Sequence, residues 1–380
     1  MTIVSWPAVE LGDVLALALA PQQVEPQKSY PTLGVYGFGR GVITNKPAVN
    51  GHEIAASTLF RVEPGQFIYS KLKAFEGAFA VVPAEAGGRF VTSEFPTFSC
   101  REDRLCPQYL GWLFKRSDIW TKVSVESTGI GARRERLHPT EPLKFRISLP
   151  SLSKQRQIVE RLDAVSTRLK ARAEAAERQQ AELTAMLRAL VRTDASAARL
   201  GQLLTQRPVD VQVQKTSHYQ FAGVYSFGRG VFRGQRKAGS DFAYPRLTTL
   251  HAGDFTYPKL MAWEGGFGIV PPECDGCVVS PEFPVFAVDQ DRILPDVLAI
   301  HFADPRTWRA LSGGSSGTNA RRRRLHPDNL LAYEMPVPSP PVQELVALLM
   351  PKVAALRTHQ AAIAADADAL LPAMLAQIFS

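Results

Sequence analysis

The chain has 380 residues, 45% of them hydrophobic, with 44 Lys+Arg against 36 Asp+Glu and a net charge of +8. That is enough chain for two or three domains with separate cores, and the positive excess suits a polyanionic partner without proving one. Its 4 cysteines are too few for a disulfide framework, which points to a reducing cytoplasm, and no apolar run reaches the ~18–20 residues that cross a bilayer, so no membrane partner is expected.

Read from the first residue, the LALALA run at 15–20 follows Glu10 and Asp13 with no preceding Lys or Arg, so it is not a signal core. After Leu11-Gly12 the chain is dense in Gly, Pro, Phe, Tyr and Val, with short alternating runs at 67–69 and 123–125. Such texture predicts short twisted strands joined by turns. Residues 36–42 read YGFGRGV, where glycines let backbone approach a ligand and Arg40 follows. A DNA-facing loop and a plain β-turn both fit this element, and no strand-GxGxxG-helix frame surrounds it. Lys71 and Lys73 follow a predicted strand, and residues 110–120 predict a helix. Residues 127–138 read STGIGARRERLH. Beyond Leu149-Pro150 the Gly and Pro content falls. Ile158, Leu162, Val165, Leu169, Ala176, Leu183, Met186 and Leu190 then keep a 4-3 spacing, broken at Arg172 and Gln179.

The chain then repeats itself. YSFGRGV at 225–231 answers YGFGRGV at an offset of 189 (225 − 36), while residues 253–271 answer 65–83 at 188 (253 − 65) with 11 of 19 positions identical. PEFPVF at 281–286 answers SEFPTF at 93–98, and ARRRRLHP at 320–327 answers ARRERLHP at 132–139. A helix is predicted again at 297–308. A second 4-3 pattern runs through Val346, Leu349, Val353, Leu356, Ile363, Ala367, Leu370 and Met374, with Pro351 and Pro372 expected to kink or loosen it. A 4-3 spacing held for several heptads is a coiled-coil seam. The predicted fold class is therefore α+β: two similar β-rich domains, each followed by a long helix, the helices packing as an antiparallel coiled coil in a pseudo-two-fold duplication. The boundaries are 1–152, 153–195 for the first spacer helix, 196–340, and 341–380 for the second. Two amphipathic helices each lying on its own domain are the alternative.

A duplicated chain is a covalent pseudo-dimer, and duplex DNA is the commonest two-fold ligand. The arginine elements fit it best: a Ser/Thr/Gly/Asn-rich turn followed by Arg133, Arg134 and Arg136, and again by Arg321, Arg322 and Arg324, offers hydroxyls, backbone N–H groups and guanidinium forks to phosphates or to guanine. Pairing of those arginines with nearby acids is the competing reading. Arg40 and Arg229, Tyr36 and Tyr225, and Lys71 and Lys259 complete the candidate DNA contacts, with Met261 replacing Lys73. Segments 43–58 and 232–248 align poorly, which makes Asn45, Lys46, Asn50 and His52, and Arg233, Gln235, Arg236 and Lys237, candidates for base choice. His138 and His326 recur before Pro with no matched nucleophile and read as structural. Cys274 and Cys277 form one CxxC without counterparts in the other copy, so no metal site is assigned.

No GxxxxGK[ST] loop occurs, no Asn/Asp-Pro-Pro-Tyr/Phe element occurs, and the recurring acids Glu76, Glu94, Glu264 and Glu282 lack nuclease spacing. No catalytic residue is assigned.

The order of these elements, more than any one motif, resembles the DNA-specificity subunit of type I restriction-modification systems. Leu149-Pro150-Ser151-Leu152 followed by Gln155, Arg156, Ile158, Val159 and Leu162-Asp163 carries the likeness, with the 65–70 segment and the Gly-x-x-Ala-Arg-Arg-x-Arg-Leu element. The resemblance covers essentially the whole chain. It implies two target-recognition domains that each grip half of a bipartite site, and a non-catalytic scaffold for two methyltransferase subunits, to which a motor-nuclease subunit can be added. AdoMet, ATP and magnesium would then belong to partner subunits, with no cofactor in this chain. An assembly subunit of another DNA-modification or anti-phage defence complex is the alternative. Two departures stand out. The second helix start keeps only Gln343 of the Gln-Arg-x-Ile-Val pattern, and the two recognition modules are unusually alike.

Overall fold

A computed structural model describes residues 6–125, 136–260, 262–312 and 324–379. The chain divides into two compact units: unit one is Met1–Glu174 with Ile363–Ser380, and unit two is Ala175–Ala362.

In unit one, the central four-stranded sheet runs Phe79–Val81, Phe67–Tyr69, Thr97–Cys100, Leu15–Leu17, all antiparallel. Alternation explains why these residues make strands: Phe67 and Tyr69 enter one core with Phe79, Phe98 and Phe114, while Ile68 enters a second with Val62, Ala80 and Val91. Phe67 lies 4.9 Å from Phe114 and 6.0 Å from Phe79 between ring centroids. Unit two repeats the sheet strand for strand, as Gly268–Ile269, Phe255–Thr256, Val285–Val288, Leu204–Gln206. Its aromatic core follows suit, with Phe255 4.7 Å from Phe302. In each unit a short antiparallel pair joins the module's first strand to its last, Ala8–Glu10 to Arg146–Ser148 and Ser196–Arg199 to Glu334–Val337.

The modules part company in the segment of poor alignment. Unit two has one hairpin, His218–Val224 with Val231–Ala238, bulged between Gln220 and Ala222. Unit one has two short pairs there, Ser29–Tyr30 with Val49–Asn50 and Gly34–Val35 with Val42–Ile43. Pro31 and Pro47 interrupt the ladder in unit one, since proline donates no hydrogen bond, and neither has a counterpart in unit two.

The helix expected over 110–120 is two helices, Pro107–Leu113 and Ser117–Val125, and that expected over 297–308 is Pro295–Phe302 and Pro305–Ser312. Pro305 forces the break in unit two. In both units the indole N–H of the second helix donates to the carbonyl freed at the end of the first, Trp120 to Phe114 at 2.5 Å and Trp308 to Phe302 at 2.6 Å.

The long helices are Leu152–Leu190 and Pro340–Ile378, 39 residues each. The second is continuous through Pro351 and Pro372, both on exposed positions. By length and composition it is also apolar enough to span a membrane, contrary to the expectation from uninterrupted apolar runs, because its hydropathy is spread among alanines. Its buried residues are those of a packed helix: Val346 and Val353 in the core of unit two, Leu375 in that of unit one. Within unit two, Gln360 donates to Gln179 at 2.8 Å, and Leu187 and Val191 share a core with Val346 and Val353, so the two helices run in opposite directions there. Within unit one, Ile158 and Leu162 share a core with Leu375. The seam positions Val165, Leu169, Leu183, Leu349, Leu356 and Ile363 are half-buried. The seam expected through Met186 and Leu370 moves by one residue at the helix ends. Those two stand 50% and 43% exposed, while Leu187 is buried and Leu371 half-buried in their place. A straight helix drifts ~20° per heptad against a 3.5-residue repeat, which carries the buried face onto the next position.

Each long helix starts on a buried glutamine. Gln155 donates to the carbonyls of Arg104 and Pro150 at 2.9 Å and accepts from the Cys106 N–H at 2.8 Å. Gln343 does the same with Arg292, Pro338 and Leu294, at 3.1, 3.0 and 2.8 Å. The single residue of the helix-start pattern that both copies keep is therefore the one that fastens the helix to its module.

Candidate nucleic-acid interface

Residues 70–77 form the turn on which the site of unit one is built. Lys71 donates its backbone N–H to the Glu94 carbonyl at 2.9 Å and accepts from the Leu137 N–H at 3.0 Å, so it holds the chain where it leaves the arginine element. Tyr69 beneath it donates its hydroxyl to the Leu137 carbonyl at 3.0 Å, and burial pushes that hydroxyl's pKa up, keeping it a donor. The carbonyls of Glu76 and Gly77 accept from the N–H groups of Phe38 and Gly39 at 2.6 and 3.0 Å, which docks the aromatic-glycine loop on the same turn. Gly77, at φ 74°, lies under the Trp120 indole, where a Cβ would come within 2.3 Å of a ring carbon. Only glycine fits that position.

Unit two builds the same hub. Lys259 bridges Glu282 and Leu325 at 3.0 and 2.9 Å, Phe227 and Gly228 donate to Glu264 and Gly265 at 2.7 and 2.9 Å, and Trp308 covers Gly265. Tyr257 donates to the Leu325 carbonyl at 3.1 Å.

The hub brings most of the sequence candidates together. Arg40 donates Nε to the Gly37 carbonyl at 3.2 Å while its guanidinium lies 5.1 Å from the Tyr36 ring centroid. Arg229 donates to the Ser226 carbonyl at 3.1 Å and lies 4.7 Å from Tyr225. These arginines are presented as fixed planar forks, with part of their side-chain entropy already lost. Arg136 pairs with Glu94 at 3.3 Å and Arg324 with Glu282 at 3.2 Å, each on a side chain at least half exposed. Among the described residues, both arginines of these elements therefore have acids as partners, as the competing reading expected, though at Arg324 the acid is Glu282 and not the nearby Asp328; Glu135 lies outside the described residues. Glu76 pairs with Lys73 at 3.7 Å and Glu264 accepts from Ser226 at 3.2 Å. Lys259 donates Nζ to the Pro281 carbonyl at 2.9 Å. Arg133, Arg134, Arg321, Arg322 and Met261 lie outside the described residues.

The base-choice candidates lie in the segment where the modules differ. Asn45, Lys46, Asn50 and His52 are exposed, as are Arg233, Gln235, Arg236 and Lys237 on the hairpin of unit two. His138 bonds the Thr140 hydroxyl at 2.8 Å and accepts from the Thr140 N–H at 3.4 Å, while His326 stands at the start of the helix Pro327–Leu331 without a side-chain cap hydrogen bond. Cys274 and Cys277 are buried, and burial raises the Cys274 thiol's pKa. Phe38 and Phe227 lay within the aromatic-glycine elements that the sequence singled out, whereas Glu94 and Glu282, weighed there only as recurring acids, were missed as members of the site. Their recurrence at the repeat offset was the available signal.

No family model and no curated protein matches this chain. Solved structures do. The chain is similar to the HsdS subunit from Thermoanaerobacter tengcongensis, with a TM-score of 0.56 at 17% identity over 99% of this chain and 97% of that one. It is also similar to a chain from a structure of the type I R-M system that addresses complex assembly and conformational transition, with a TM-score of 0.65 at 18% identity over 99% and 98%. The fold is that of a type I restriction-modification specificity subunit.

Proposed function

We propose that this chain is the sequence-reading subunit of a type I restriction-modification complex, one module to each half of a bipartite DNA site. The observation that carries the reading is the hub. Two modules hold the same arginine forks, Arg40 with Arg136 and Arg229 with Arg324, on the same turn, and differ in the adjoining segments 43–58 and 232–248. A shared framework suits phosphate contacts and a divergent segment suits base choice. The similar solved folds support the reading. The exposed Met186, Leu345, Leu348 and Leu370 on the long helices support a scaffold for methyltransferase subunits. In this reading AdoMet, ATP and magnesium act on partner subunits in the cytoplasm, and the chain itself performs no chemistry.

Selection from random-sequence duplexes tests it. The wild-type chain should enrich two short, related, non-identical halves in inverted orientation around an unread gap. Replacing residues 232–248 by 43–58 should move the preferred site toward an inverted repeat of the first half, with each base contact worth roughly 1–3 kcal/mol. Enrichment of the same asymmetric site by both proteins removes base choice from these segments, and no enrichment by the wild type removes the reading altogether.

A further inference from the structure

The aromatic at the tip of each glycine loop occupies the first central position of a tight hairpin turn, a place whose left-handed backbone favours Asn, Asp or Gly over a bulky ring. Phe38 has φ 61° and Phe227 φ 65°, in the left-handed region that non-glycine residues rarely occupy. Burial does not explain them, because the residues are 63% and 65% exposed. Each ring only leans on an indole, at 6.4 Å from Trp120 and 6.4 Å from Trp308. The backbone that carries the ring is fixed. The Phe N–H is tied to the hub turn, and a Cβ on the next residue, Gly39 or Gly228, would come within 2.8 Å of the Lys115 Cα or 2.9 Å of the Ala303 Cα. The same exposed aromatic on a tied, left-handed backbone therefore occurs twice in one chain, in modules whose neighbouring segments differ.

We propose that Phe38 and Phe227 are wedges that enter the duplex, one in each half-site, each packing its ring against a base-pair step and loosening the stack there. This rests on the DNA-reading function proposed above and assigns a residue to it. The chemistry beside the ring selects DNA over an apolar protein partner. The Arg40 guanidinium lies 5.7 Å from the Phe38 centroid, and Arg229 occupies the matching place two residues after Phe227. A rigid cation next to a projecting apolar ring fits a phosphate flanking a base step, where the ring meets the unstacked bases and the guanidinium the backbone. Because both modules carry the wedge, it contributes at both halves and does not distinguish them.

The experiment uses the full-length chain and the duplex it enriches from a random pool, with 2-aminopurine placed at successive positions. Wild type should raise the fluorescence at one step in each half. Phe38→Ala should abolish the rise in one half and Phe227→Ala in the other, each weakening binding about tenfold. The salt slope should stay the same, because no phosphate contact is lost. Arg40→Ala should lower the slope by about one. Enrichment of a site without any local fluorescence rise, or a rise that survives both substitutions, overturns the wedge and leaves the reader intact. Failure of wild type to enrich any site overturns both. Loss of methyltransferase-subunit binding in Phe38→Ala with unchanged DNA binding assigns the rings to a protein partner and likewise overturns the wedge.

Discussion

Between the two short helices of unit one stands Arg116; at the matching position of unit two (304 − 188 = 116) stands Asp304, and the next pair is reversed as well, Asp118 against Arg306. Both corners receive the end of a long helix. In unit one, Arg116 donates to the Phe379 carbonyl at the close of the second long helix and pairs with Asp118 at 2.8 Å. In unit two, Asp304, its side chain 3% exposed, pairs with Arg306 at 2.8 Å, Arg192 at 3.1 Å and Arg188 at 4.0 Å, the last two from the end of the first long helix. Burial works to raise the Asp304 pKa, but the hydrogen bonds from Arg306 and the charges of Arg188 and Arg192 outweigh it and hold the carboxyl below its usual range. A bare helix end presents carbonyls and a partial negative charge, which a guanidinium satisfies; a helix end bearing arginines needs an anion. The corner's shape therefore does not set its charge. The helix it receives does, and each corner would repel the other's helix.

The strongest way to break this comparison is Asp304→Ala. It leaves three arginines facing one another with Arg188 largely buried, and should cost about 3–5 kcal/mol in urea unfolding. Adding Arg188→Ala, which copies Ala376 at the matching helix position, should restore the larger part. A loss of no more than about 1 kcal/mol, the worth of an exposed pair, would remove the anion's role.

Acid sharpens the contrast next. His301 lines the same corner and bonds the Tyr333 hydroxyl at 3.1 Å, where unit one has Leu113 and Phe145. Burial, helped by Arg192, pushes the imidazole's pKa down to about 4. The folded imidazole stays neutral while the unfolded one takes a proton below about 6.5. Stability should therefore fall as pH drops from about 6.5 to about 4 and change no further through this group below that, by roughly 3 kcal/mol in all. His301→Leu with Tyr333→Phe, unit one's own residues, should remove that component from a series of unfolding midpoints. An unchanged pH profile would place the proton elsewhere.

Arg116→Ala gives the smallest effect, about 2 kcal/mol for the charged hydrogen bonds it removes. Thermal unfolding checks it, and no shift would mean that the Phe379 carbonyl is satisfied by water equally well.

Repetition made much of this legible. Two near-identical segments must fold alike, so the sheets, the hub and the paired arginine loops could be matched residue by residue before any coordinates, and the 4-3 spacing announced both long helices. What the sequence hid was long-range. Glu94 and Arg136 are 42 positions apart (136 − 94) and meet only because Lys71 ties both strands to one turn. The break after Leu113 depends on a tryptophan folding back onto Phe114. The rotation of the buried face at Met186 and Leu370 arises where a helix leaves its coiled partner for a module core, which heptad counting cannot register. The antiparallel packing expected of the helices implies that 363–380 pairs with the first module, but not that Leu375 and Phe379 enter its core.

That last pairing reverses the usual order of events during synthesis. Unit two is one uninterrupted stretch, whereas unit one lacks Leu375 in its core, and Phe379 beside Tyr109 at 5.2 Å, until residues beyond 363 have been made. At ribosomal rates of ~5–20 residues per second, the 188 residues 175–362 (362 − 174) keep the first-made module waiting roughly 10–40 s. The module translated first is thus the one completed last, and for that interval an open apolar socket around Tyr109 and Leu162 is the surface a chaperone would find.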